Sequence, residues 1–225
     1  EEVAEDFFRD GPKLNFIITR SAHLSYKYNE VLSYYALKQY PQFKGMTGDE
    51  ELDCLYVKAK LVDDMFARLL EELEARGELE NTVIVAYTDH YAYGFKNEEL
   101  MLEKSGVEDP LLLEKTPCFI WSADGPAMEV EKTLNTSDLL PTVLNLLDAE
   151  SPYQYIGQDA FDDRYMGYAL FPDGSWICDG IVCQISSDME YEIIQNSNDL
   201  PITREDLMKM AQIASDYIRA SNALL

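Results

Sequence analysis

At 225 residues and 47% hydrophobic, the chain is long and apolar enough to bury a core, as one domain or as a large domain with a small appendage. Forty-two acidic against eighteen basic residues give a formal charge of -24, which repels polyanions and argues against nucleic acid or an anionic membrane surface as partner. No uncharged apolar run is long enough to span a bilayer, and the opening EEVAEDFF is too acidic for a signal peptide; with neither an initial Met nor a targeting segment at its start, the sequence is expected to begin inside a longer protein.

LNFIIT (14–19) is rich in branched and aromatic residues and follows the turn signal Asp10-Gly11-Pro12, so it reads as a buried strand that delivers RSAH to its carboxyl end. From Asp49 to Arg76 the apolar positions Leu52, Leu55, Ala59, Val62, Phe66, Leu69 and Leu73 recur in steps of three and four, and Gly77 follows as a stop, which predicts an amphipathic helix over 50–76. TVIVAYT (82–88) and TPCFIWSA (116–123) read as two more buried strands with helical and loop material between them. Strands separated by helices suggest one mostly parallel sheet with helices on its faces. In NTSDLLPTVLNLLDA, Thr136, Ser137 or Asp138 can cap a short helix with Pro141 in its first turn. After SPYQYIGQDAF the character changes. SWICDGIVCQI reads as two short strands around Asp179-Gly180, and ITREDLMKMAQIASDYIRASNALL as a terminal helix. The division expected is a larger α/β part, 1–161, and a small α+β part, 162–225.

The four cysteines lack CxxC spacing and only two histidines could assist them, so a structural zinc site is not indicated. Cys54 and Cys118 read as small buried apolar residues; Cys178 and Cys183 are near enough to pair across a hairpin or to remain free thiols.

Chemistry is most concentrated in NTVIVAYTDHYAYGF (81–95), where an apolar strand runs into Asp89 and His90. Loops at the carboxyl ends of strands in an open α/β sheet converge on ligands, and both this pair and His23 fall at such ends. A carboxylate beside a neutral imidazole suits a divalent cation such as manganese or zinc, which can polarise a phosphoryl or sulfuryl oxygen. A lone Asp-His pair is also met as a turn cap beside an ordinary histidine, and His23 by itself as a satisfied loop residue, so the spacing leaves both readings open. No Gly-rich phosphate loop and no GxSxG segment occurs.

Read together, IITRSAHLSY, NTVIVAYTDHYAYGF, KTPCFIWSADG, NTSDLLPTVLNLLDA and FPDGSWI resemble, in order and spacing, the C-terminal part of lipoteichoic acid synthase-like phosphoglycerol transferases of the alkaline phosphatase and sulfatase superfamily. The resemblance implies an alkaline phosphatase-like α/β fold, present in part: a mostly parallel sheet with helices on both faces, plus the small C-terminal α+β subdomain. It implies that Asp89 and His90 bind a catalytic divalent metal, Mn or Mg, and that His23 contacts the phosphoglycerol head group of a lipid or polymer substrate. It also implies a parent enzyme on the extracellular face of the cell membrane, held there by N-terminal segments outside this sequence. The family's threonine nucleophile, and the glutamate that shares its metal, have no counterpart in these residues, so the chain alone is expected to be inactive and to bind metal weakly. Thr88 stands where the family commonly has glycine, Ala92 where proline is frequent, and Ala22 where glycine or asparagine is usual. The alternatives are a sulfatase or phosphodiesterase of the same superfamily, or a non-catalytic surface binding domain.

Overall fold

The computed structural model describes residues 7, 8, 11–186, 188 and 190–224, in two units, Glu1–Gly125 and Pro126–Leu225. In the first unit, helix α1 (Val31–Gln39) starts at Glu30, whose carboxylate accepts from the backbone N–H groups of Leu32 and Ser33. Helix α2 (Glu50–Arg76) is the helix expected from the periodicity: Asp49 accepts from the Leu52 N–H at its start, three acids sit in its first turn, and Gly77 ends it in the left-handed region at φ 69°. Ala36 and Leu37 of α1 pack on Val57 of α2, with Tyr28, Tyr40, Phe43 and Leu61 around them.

Strands β1 (Val83–Tyr87) and β2 (Cys118–Ser122) form where expected, and helix α3 (Glu98–Ser105) lies between them in sequence. Their direction differs from the expectation of a mostly parallel sheet. They pair antiparallel, from Val83 opposite Ser122 to Tyr87 opposite Cys118. The intervening segment turns the chain back instead of carrying it across to a parallel neighbour. Phe119 of β2 meets Phe66 of α2 with ring centroids 5.5 Å apart, so this two-stranded sheet does pack on the long helix.

The expected strand at 14–19 is not one. Residues 14–19 have no ladder partner among the described residues, and Leu14, Phe16 and Ile18 are 93%, 74% and 79% exposed. Composition gives a segment the preference for extended backbone, but a strand exists only once a second segment supplies its hydrogen bonds. Gly11 and Pro12 of the preceding turn signal are described, whereas Asp10 lies outside the described residues. Cys118 also departs from expectation: it is exposed at the first position of β2, while Cys54 is buried.

In the second unit, helix α4 (Leu139–Leu146) follows a single 3-10 turn, Thr136–Asp138, with Asp138 at its N-cap and Pro141 in its first turn. Asp138 is 2% exposed and accepts from the backbone N–H groups of Asn135 and Gln158 and from the Tyr165 hydroxyl, which binds the 156–165 stretch to the start of α4. The approach is so close that a Cβ on Gly157 would stand 1.9 Å from the Ser137 carbonyl oxygen. Strands β3 (Tyr168–Leu170), β4 (Trp176–Cys178), β5 (Ile181–Ile185) and β6 (Tyr191–Asn196) form an antiparallel meander. Asp179 and Gly180, both at positive φ, make the β4–β5 turn, as Asp-Gly in that context implies. Helix α5 (Arg204–Leu224) is the expected terminal helix, Leu225 lying outside the described residues; its Met210 joins Trp176, Cys178, Ile181 and Cys183 in one apolar core. Cys178 faces Ile181 and Cys183 faces Trp176 across the ladder, so the two thiols are free, and burial pushes each up to about 11.

Candidate functional site

Asp89 and His90 leave β1 directly at its carboxyl end, where no further ladder bond constrains the backbone. His23 comes from a different part of the first unit, in the turn after 14–19, where its N–H donates to the Arg20 carbonyl at 3.1 Å. The two imidazoles nonetheless meet, with ring centroids 5.8 Å apart in an edge-to-face arrangement, and Tyr93 lies against His90 at 4.6 Å.

Each histidine has the same local bond. Nδ1 of His23 lies 2.9 Å from the Leu24 carbonyl oxygen and Nδ1 of His90 lies 2.8 Å from that of Tyr91. A carbonyl only accepts, so Nδ1 carries the proton in both rings, and in the neutral form each Nε2 keeps a free lone pair. His90 Nε2 is 3.6 Å from Asp89 Oδ1, so an imidazole nitrogen and a carboxylate oxygen face one point. That donor set suits one divalent cation, with the Nδ1–H bond to a backbone carbonyl fixing the tautomer as it does in metal-bound histidines. It is a two-donor set. No group of three or more His, Cys, Asp and Glu side chains placed to hold a metal occurs among the described residues. The Thr88 hydroxyl, one residue before Asp89, is buried without a partner among the described residues.

Helix α2 holds both histidine-bearing segments. Glu50 and Glu51 in its first turn accept from the backbone N–H groups of Tyr28, at 2.6 Å, and Lys96, at 2.8 Å. Two turns further on, Lys58 is fully buried; its ammonium donates to the carbonyls of His23, at 2.8 Å, and Ser25, at 3.0 Å, and pairs with Glu30 at 2.9 Å. The Tyr26 ring lies beneath the same ammonium and stacks on Phe95 at 4.7 Å, joining the His23 segment to the one that follows His90. Burial disfavours the Glu30 carboxylate, but the N–H groups of Ser33 and Leu32 and the Lys58 ammonium outweigh it and hold its pKa at about 2.

Sequence reasoning missed Lys58, Glu30 and the buried Asp53. Asp53 accepts from Tyr28, Gly45 and twice from Thr47, and these bonds hold its pKa below the ordinary carboxylate value against the opposing effect of burial. A lysine or an aspartate in a helix is normally solvated, and nothing in a one-dimensional pattern marks the exceptions.

The profile of the sulfatase family matches residues 3–149. The chain belongs to the sulfatase family. Within it, the chain is 26% identical to lipoteichoic acid synthase 2 of Bacillus subtilis over 59% of its own length, and 26% identical to the lipoteichoic acid synthase of Staphylococcus saprophyticus over 81%. It spans only 21% and 28% of those two proteins. The crystal structure of the lipoteichoic acid synthase LtaP from Listeria monocytogenes superposes with a TM-score of 0.64 at 19% identity, over 77% of this chain and 45% of LtaP. That likeness establishes the α/β, alkaline phosphatase-like fold class, and the curated relatives make this sulfatase-family chain lipoteichoic acid synthase-like.

Proposed function

We propose that this chain is the C-terminal segment of a metal-dependent phosphoglycerol transferase, acting on a phosphoglycerol lipid or polymer, whose nucleophile and remaining metal ligands lie upstream of residue 1. The observation that carries the reading is the meeting of His23 with the Asp89-His90 pair, which no local feature of the sequence requires. Asp89 Oδ1 and His90 Nε2 would hold a manganese or magnesium ion, which when bound supplies a Lewis acid for a phosphoryl oxygen. His23, with Nδ1–H bonded to the Leu24 carbonyl, would turn Nε2 toward the substrate's phosphate or hydroxyl groups. The enzyme would work on the outer face of the cell membrane, held there by segments other than those described, since no described helix is long and apolar enough to cross a membrane. Residues 1–161 would form part of the catalytic domain and 162–225 a small α+β subdomain; strands β3–β6 and helix α5 all lie beyond residue 162, whereas the two compact units divide earlier, between Gly125 and Pro126, with helix α4 in the second.

Because the sequence holds two histidines, manganese titration followed by proton NMR is a direct test. Paramagnetic broadening should reach the His90 imidazole first and His23 second, at metal concentrations that indicate weak binding, and Asp89→Ala should abolish it. Broadening of neither ring would remove the metal reading. The chain alone should not turn over a phosphatidylglycerol analogue; robust turnover lost on Asp89→Ala would mean that it holds a complete site. The second reading, a sulfatase or phosphodiesterase, is favoured by the family match itself, and turnover of an aryl sulfate or a generic phosphodiester by the full-length protein in preference to the phosphoglycerol lipid would decide for it.

A further inference from the structure

A lysine with no exposed surface is the most expensive way to fill a helix position, because its ammonium must give up water. Lys58 meets that cost with an acceptor for each of its three N–H bonds: the His23 carbonyl, the Ser25 carbonyl and the Glu30 carboxylate. Two of the three belong to the short segment that carries His23, and none belongs to α2 itself. The third is fixed independently, since Glu30 caps α1 through the N–H groups of Leu32 and Ser33. The ammonium is therefore anchored at one end to the start of α1 and at the other to the backbone of residues 23–25.

The same group reaches the second histidine indirectly. Tyr26 lies 5.5 Å from the Lys58 nitrogen, its hydroxyl donates to the Ala22 carbonyl at 3.2 Å, and its ring stacks on Phe95. Leu24, between the two carbonyls that Lys58 holds, is near enough to the 89–95 segment that a Cβ on Gly94 would touch its methyl at 3.6 Å. Among the described residues, neither His23 nor His90 is held in place by a hydrogen bond from its own side chain to a distant residue. Each bonds only to the carbonyl of the next residue.

We propose that Lys58, with Glu30 as its counterion, is a positioning residue: it fixes the backbone of residues 23–25 so that the His23 ring stands against that of His90. The significance of that placement for substrate binding rests on the function proposed above; the clamp itself does not. Without the ammonium, the His23 and Ser25 carbonyls lose their donor, and the short segment 22–26 is free to adopt other turns while α2 keeps its helical hydrogen bonds.

The test compares the intact 225-residue chain with Lys58→Met, which keeps the apolar stem and removes the three donors, and with Glu30→Gln/Lys58→Met, which leaves neither charge buried without its partner and so remains foldable where the single variant is not. The two imidazoles give two resolvable spin systems, and in the unsubstituted chain they should show a ring-to-ring nuclear Overhauser cross-peak. In either variant that cross-peak should vanish, and amide hydrogen-exchange protection over residues 22–26 should fall by at least about tenfold while α2 keeps its own. Lys60→Met, at a partly exposed position of the same helix, should change neither signal. A folded variant that keeps both the cross-peak and the protection overturns the proposal. The functional reading is judged separately, by the affinity of glycerol phosphate in the presence of manganese. His23→Ala should weaken it, and unchanged affinity there would refute the substrate role of His23 while the cross-peak still decides the clamp.

Discussion

The N-terminal half of helix α2 and the four-stranded sheet of the second unit solve the same problem with opposite materials. Around α2 the fully buried side chains include Asp53 and Lys58, each surrounded by hydrogen-bond partners drawn from loops. In the β3–β6 sheet the core is Trp176, Cys178, Ile181, Cys183 and Met210, where apolar area removed from water does the stabilising. Apolar packing is non-directional and tolerates small shifts, whereas a buried charge accepts only the geometry that satisfies it. The region in which two histidines from distant segments meet is the one built from directional contacts.

The largest expected effects test this contrast directly. Trp176→Ala should lower the stability of the second unit by about 3–5 kcal/mol, with little dependence on pH, because only packing is lost. Asp53→Ala should cost roughly as much in the first unit, since several buried donors lose one acceptor together. Its effect, however, should depend on pH: the carboxylate is held below its ordinary value of 3.8, so its contribution is complete above that pH and declines as the pH falls through the lower folded value. Thermal melts of both variants between neutral and strongly acidic pH provide the measurement, and a pH-independent loss on Asp53→Ala would break the comparison.

Gly157→Ala comes next, at about 1–3 kcal/mol or more by overpacking against the Ser137 carbonyl, read as a fall in denaturation midpoint. The acid step of Glu30 should be smaller, although Glu30→Gln itself removes the counterion of the buried Lys58 and so costs more than that step at neutral pH. Glu30 is held at about 2 against an ordinary 4.5, so the unsubstituted chain should lose on the order of 1 kcal/mol between those values after allowance for solvent screening, and the variant should lack that acid step. Asp89→Ala and His90→Ala should change stability least, within about 0.5 kcal/mol, because the Asp89 side chain is 81% exposed and His90 bonds only to its neighbour's carbonyl.

What the sequence made legible follows the range of the interactions concerned. Helix α2, the Asp179-Gly180 turn and helix α5 are written in local terms, periodicity and turn residues, and each stands where that pattern put it. The direction of β1 against β2, and the lack of a ladder partner for 14–19 among the described residues, depend on what a segment meets in space, which alternation of apolar residues does not encode. At the candidate site, Asp89-His90 could be named from a strand end and motif order, and His23 from motif order alone since 14–19 forms no strand, whereas Lys58, Glu30 and Asp53 looked like any solvated helix or cap residue.

The exposed run at 14–19 also bears on how the protein behaves as a colloid. An apolar segment outside any ladder among the described residues is a template for pairing with its equivalent on another molecule, and Leu14, Phe16 and Ile18 would all gain from such an encounter. At low ionic strength a formal charge of -24 keeps molecules apart over a distance of about 30 Å at 0.01 M salt. At 1 M the screening length falls to about 3 Å, shorter than the separation at which two such segments begin to align. Light scattering should therefore show dispersed molecules in dilute buffer and reversible clustering in concentrated salt.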